Sequence, residues 1–117
     1  MAILKIARMG HPVLHKVSEP VTDFHDPEIK VLVENMIETL EDSGGIGLAA
    51  PQIYVPKRIV ILFVPRDSST GDEENPESSL SIMINPEINA LSDETNLDWE
   101  ACLSVPGFMG SVERYSH

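Results

Sequence analysis

Two short stretches hold the residues that could do chemistry. In Trp99-Glu100-Ala101-Cys102-Leu103-Ser104-Val105-Pro106-Gly107, the chain's single thiol stands two residues from a carboxylate. A thiolate is both a nucleophile and a soft metal ligand. The plainer reading, a small buried hydrophobe, is the commoner state of a lone cysteine among apolar neighbours. In Gly44-Gly45-Ile46-Gly47-Leu48-Ala49-Ala50-Pro51-Gln52, three glycines and two alanines leave little side-chain bulk before a lone amide. Backbone so bare can approach another group closely, which invites a ligand. Its plainer reading is a glycine helix cap leading into a tight connection. The run has neither the Gly-x-Gly-x-x-Gly spacing of a dinucleotide loop nor the Lys-Ser/Thr of a phosphate loop.

The histidines offer less. His11 and His15 have the i, i+4 spacing of a ligand pair, but Pro12 lies between them and no glutamate accompanies them as a base. His25 precedes a helix cap and His117 is the last residue, so both read as solvated side chains.

These segments need elements to hold them. Ile29, Leu32, Val33, Met36, Ile37 and Leu40 recur at helical spacing and predict an amphipathic helix over Pro27 to Asp42. Asp26 suits its N-cap, Pro27 its first position, and Gly44 or Gly45 its far end. From Arg58 a β-branched, apolar run ending at Pro65 predicts a strand buried on both faces. Ser81 to Asn85 and Glu87 to Leu91 predict a second strand pair with Pro86 at its turn or edge. Residues 65–79, rich in Asp, Glu, Ser, Gly and Pro, predict a mobile acidic surface loop.

Composition bounds the classes. A chain of 117 residues has room for one domain with a single small core, burying somewhat over ~60% of its unfolded surface. Nineteen acidic against eight basic side chains give a net charge of -11, which disfavours direct nucleic-acid binding. Lys5 and Arg8 interrupt the apolar residues of the amino terminus, so no signal peptide or membrane span is expected. One cysteine and no disulfide fit a cytoplasmic location.

Together the two stretches resemble the first two motifs of the peptide deformylase family, Gly-x-Gly-Leu-Ala-Ala-x-Gln and Glu-Gly-Cys-Leu-Ser. Gly45 through Gln52 fits the first throughout, and Glu100-Ala101-Cys102-Leu103-Ser104 fits the second with alanine in place of glycine. Gly10-His11-Pro12-Val13-Leu14 and Val105-Pro106-Gly107 through Arg114-Tyr115 resemble the flanking parts of the family, so the likeness covers the whole chain. It implies an α+β fold, one amino-terminal amphipathic helix packed on small, mostly antiparallel sheets. It also implies removal of the formyl group from the amino-terminal formylmethionine of new polypeptides.

By the same resemblance a divalent metal, iron or zinc, lowers the pKa of a bound water, and Cys102 is one of its ligands. The Gln52 amide and the Leu103 N–H donate to the oxygen that becomes negative. Ile46 and Gly47 align the substrate backbone, and Glu100 orients its neighbours at the substrate site. The family's remaining two ligands and general base come from a His-Glu-x-x-His helix downstream, which these residues lack. One ligand does not hold an ion usefully. The expectation is thus a single incomplete domain over residues 1–117 that retains no metal and is inactive alone. Without that helix, Leu48, Ile61, Phe63, Ile82 and Ile84 should be partly uncovered, which would favour self-association or a complementing chain. Alanine at 101 should strain its turn if the family's glycine there serves a positive φ. A split enzyme completed in trans and a non-catalytic module binding peptide ends stay open beside the incomplete enzyme.

Overall fold

A computed structural model describes residues 2–64 and 79–117. The expected acidic loop falls on residues 65–78, outside the described residues, while Ser79 already belongs to a strand. Helix α1 spans Pro27–Ser43, with Pro27 in its first turn. The Asp26 carboxylate accepts the Glu28 N–H at 2.9 Å, satisfying one of the helix's orphan donors. At the other end Gly44 turns left-handed, φ 70°, and its N–H reaches the Glu41 carbonyl. The expected apolar face is the packed one: Ile29, Met36 and Leu40 are buried, and Leu32, Val33 and Ile37 pack beside them.

That face lies on a three-stranded antiparallel sheet of order β1-β2-β3, with β1 at Gly47–Ala49, β2 at Ile59–Val64 and β3 at Ser79–Ile84. Leu48 pairs with Ile61 and Ile61 with Ile82, so these three project from one face. Leu48 and Ile61 are 1% and 0% exposed, which corrects the expectation that they would be uncovered. Here α1 and the residues around Val21, Ala50 and Ile53 supply the cover. Burial fades only towards the β3 edge, where Ile82 is 46% exposed; Phe63 and Ile84 are half-buried. Strand β2 is therefore not buried on both faces. Ile59 and Ile61 are sealed under α1, whereas Val60 and Leu62, pointing the other way, are half-buried.

The second strand pair lies elsewhere than expected. Strand β3 ends at Ile84 because Asn85 adopts φ 55° and ties its side chain to Val21, accepting from Val21 N at 2.7 Å and donating to Val21 O at 2.8 Å. Its partner is β2, not residues 87–91, which form no strand; Ile88 and Leu91 stand 94% and 85% exposed. The second sheet is instead a hairpin of β4, Thr95–Ala101, and β5, Met109–Tyr115. Its alternation is weak in sequence because neither strand has a continuous buried face.

The amino-terminal segment joins the two sheets. Ala2 N–H donates to Asn35 Oδ1 at 2.8 Å and Leu4 N–H to Thr39 Oγ1 at 2.9 Å, which fastens the segment along α1. Farther on, Ala7 N–H donates to the Gln52 carbonyl at 2.6 Å and Met9 N–H to the Ser104 carbonyl at 2.8 Å. This backbone thus braces both motif segments from one side. Among the described residues no helix is long and apolar enough to cross a membrane.

Candidate functional site

The two motif segments meet at a groove of about 920 Å³. One wall carries Gly45, Ile46, Gly47 and Gln52, and the other carries Trp99 to Leu103 with Phe108 and Met109. Every site residue chosen from the sequence, Ile46, Gly47, Gln52, Glu100, Cys102 and Leu103, lines it.

Gln52 sits in a short 3-10 turn, Ala50–Ile53, that follows β1. Its Oε1 accepts the Ala49 N–H at 2.9 Å, and its Nε2 donates to Ser104 Oγ at 3.1 Å. The same Nε2 lies 3.5 Å from Cys102 Sγ. Cys102 follows the last residue of β4 on an exposed turn, where its carbonyl accepts the Val105 N–H at 3.0 Å. The thiol is thus not the buried hydrophobe of the plainer reading.

Leu103 turns its side chain inward against Gly45. A Cβ on Gly45 would lie 2.9 Å from Leu103 Cδ1 and 3.3 Å from Cδ2, closer than carbon atoms pack, so this glycine lets the two walls approach. The cap-and-connection reading of the glycine run holds for Gly44; Gly45 serves the close approach. Ala101 ends β4 in extended backbone opposite Met109. Among the described residues only Tyr54 and Asn85 are non-glycine positions with positive φ, so alanine at 101 carries no strain.

Strand β1 is an edge strand. Phe63 N–H donates to the Ile46 carbonyl at 2.8 Å, so Ile46 turns its carbonyl to the sheet and offers the groove its 78% exposed side chain. Antiparallel pairs alternate, so the N–H and C=O of Gly47, the next residue, point off the free edge. The Ala49 N–H, which also points away from β2, is the one that Gln52 takes.

Glu100 is held from across the hairpin. Arg114 Nε and Nη2 donate to its two carboxylate oxygens, each at 2.8 Å. The Arg114 hydrogen bonds, and then its charge, lower the Glu100 pKa from its ordinary value, with desolvation opposing. Arg114 has no local sequence signal: the register sets it opposite Asn96 on the face that Glu100 shares, and its long side chain reaches along that face to the carboxylate. Ser104 stands in the quoted motif, but its contact with the amide fifty-two positions away is likewise tertiary.

The histidines gather no ligand set. His11 Nδ1 accepts the Val13 N–H at 3.1 Å, and its ring meets Tyr54 edge-on with centroids 4.8 Å apart. Among the described residues no three His, Cys, Asp or Glu side chains come together as a metal site. The donors at the groove are one thiol and the Glu100 carboxylate, both of whose oxygens Arg114 engages, and this set does not fit a divalent ion.

Comparison with known proteins agrees with this geometry. The family model for polypeptide deformylase matches residues 3–117. Peptide deformylase 1 of Bordetella pertussis is 44% identical over 112 residues, 96% of this chain and 62% of that protein. Peptide deformylase 2 of Clostridium perfringens is 46% identical over 114 residues, 97% of this chain and 66% of that protein. A class I type b peptide deformylase from Acinetobacter baumannii, solved with Met-Ala-Ser bound, superposes with a TM-score of 0.81 at 34% identity, covering 97% of this chain and 72% of that one. The chain spans about 62% to 66% of the length of the curated relatives it matches. Matched across nearly its whole length in sequence and in fold, the chain belongs to the polypeptide deformylase family.

Proposed function

We propose that this chain builds the substrate-facing part of a peptide deformylase, which hydrolyses the formyl group from the amino-terminal formylmethionine of polypeptides. The observation that carries the reading is the convergence of Gln52 Nε2, Cys102 Sγ and Leu103 at one groove beside the free edge of β1. A peptide lying along that edge would pair with the Gly47 N–H and C=O as an added strand. The apolar groove beside Ile46 and Trp99 would take a methionine side chain. The Acinetobacter relative solved with Met-Ala-Ser supports a peptide that begins with methionine.

In formamide hydrolysis the formyl oxygen gains negative charge in the transition state. The Gln52 Nε2–H and the Leu103 N–H would donate to that oxygen from fixed positions, the arrangement that lowers such a barrier most. Glu100, held by Arg114, stays ionised and fixes the strand end that presents Cys102. The divalent ion such a reaction uses, iron or zinc, would supply the activated water, and Cys102 is the one ligand these residues contribute. Its other ligands must come from polypeptide outside them, continuous or on a second chain, and the 117 residues alone are expected not to turn over.

The test is turnover of a formyl-Met peptide by the purified chain with Fe(II), Ni(II) or Zn(II), with and without an added His-Glu-x-x-His segment. Activity only with the added segment is the expected result, and Gln52→Ala should then lower kcat by ~100-fold to 1,000-fold. Turnover by the chain alone would overturn the donor-set argument. Metal-independent binding of Met-Ala-Ser with no turnover in any combination would favour a peptide-end binding module, for which the free edge of β1 suffices.

A further inference from the structure

Gln52 can serve as a donor only if its amide points the right way, and the structure holds it at both ends. Oε1 is occupied by the Ala49 N–H at 2.9 Å. Turning the amide over would set its NH2 against that N–H, two donors face to face, so Nε2 must face the β4–β5 side. A planar NH2 group has two hydrogens, about 120° apart. Ser104 Oγ, 3.1 Å from Nε2, takes one of them, and the plane of the amide then directs the other towards Cys102 and the groove. Ser104 is suited to this. It is 5% exposed, one of two buried polar residues among the described residues, and its carbonyl is fixed by the Met9 N–H at 2.8 Å. The Gln52 carbonyl is fixed by the Ala7 N–H of the same segment.

We propose that the Ser104 hydroxyl is a positioning residue for the reaction: it claims one hydrogen of the Gln52 amide and thereby aims the other at the formyl oxygen. A serine that merely filled space would leave the amide's behaviour unchanged when replaced by a residue of similar size. The inference deepens the deformylase reading and rests on it for the identity of the aimed-at oxygen; the clamp itself can be tested without turnover.

The experiment records the two Nε2 proton resonances of Gln52 by NMR in the 117-residue chain, for the native sequence, Ser104→Ala and Ser104→Cys. Cysteine keeps the volume and replaces a good acceptor with a poor one, so it controls for a cavity or a folding defect in the alanine variant. The clamp is expected to hold the two protons at well-separated shifts with slow exchange. Either variant should collapse the separation and speed exchange by ~10-fold or more, the loss of roughly one net hydrogen bond. Unchanged resonances in both folded variants would overturn the proposal. In a protein supplied with the missing ligands, the same substitutions should lower kcat by ~10-fold or more and leave KM for a formyl-Met peptide within about twofold. A rise in KM at constant kcat would instead assign Ser104 to substrate binding and overturn the positioning role. If the native sequence fails to turn over in every combination, the deformylase reading falls, while the amide resonances still decide the clamp.

Discussion

The α1–β1–β2 layer and the β4–β5 hairpin supply the two walls of the groove and are built in opposite ways. In the layer, Met36, Leu40 and Ile61 are fully buried and Leu48 is 1% exposed. In the hairpin, Leu97, Trp99, Met109 and Tyr115 are 71%, 65%, 63% and 61% exposed and share one face. The layer carries Gly47 and Gln52 on a core that holds itself together. The hairpin carries Cys102 and Leu103 on a ribbon whose side chains bury little, and its anchorage is local: Leu103 against Gly45, Ser104 on Gln52, and the backbone bond from Met9. A site split in this way takes its precision from the few contacts that cross between the halves, not from burial within each.

Truncating the layer should have the largest effect on stability. Leu40→Ala or Met36→Ala is expected to destabilise by ~2–5 kcal/mol in denaturant unfolding, because each deletes a fully buried side chain and leaves a cavity. The comparison sharpens if Trp99→Ala and Leu97→Ala each fall within ~0.5 kcal/mol of the native chain, as exposed positions do. Equal losses in both regions would break it.

A smaller effect is expected where the regions touch. Gly45→Ala places a methyl 2.9 Å from Leu103 Cδ1, the movable end of a side chain, so it should displace Leu103 and destabilise by no more than ~1 kcal/mol. Amide exchange resolves the same contrast along the chain, with β2 amides exchanging only on global unfolding and β4 and β5 amides opening locally and sooner. Uniform protection would mean that the hairpin is packed more firmly than its exposure implies.

The smallest effect lies within the hairpin. Arg114→Ala should raise the Glu100 pKa back towards its ordinary value, read by NMR titration. Because the folded pKa is the lowered one, whatever stability the pair adds is present above the ordinary carboxylate pKa. It is lost as pH falls through the folded value. The pair is solvent-facing, with Arg114 67% and Glu100 40% exposed, so the stability change should be slight.

Local sequence rules were sufficient wherever burial or capping is periodic and near in the chain. Asp26, Pro27 and Gly44 delimit α1, and the apolar spacing from Ile29 to Leu40 marks the face that packs. The β-branched run after Arg58 marks β2. Gln52 and Cys102 stood out by residue type, whereas Leu103, which would act through its backbone N–H, was marked only by the resemblance to the deformylase motif. The hairpin escaped, because strands exposed on both faces carry no alternation to detect, and residues 87–91 mimicked a strand for want of a core to test them. What tertiary structure alone decided is contact between distant positions: Ser104 on the Gln52 amide, Arg114 on Glu100, and the amino-terminal backbone across both motifs. Each depends on register and chain path, which are set by the packing of the whole layer and leave no mark on the residues nearby in sequence.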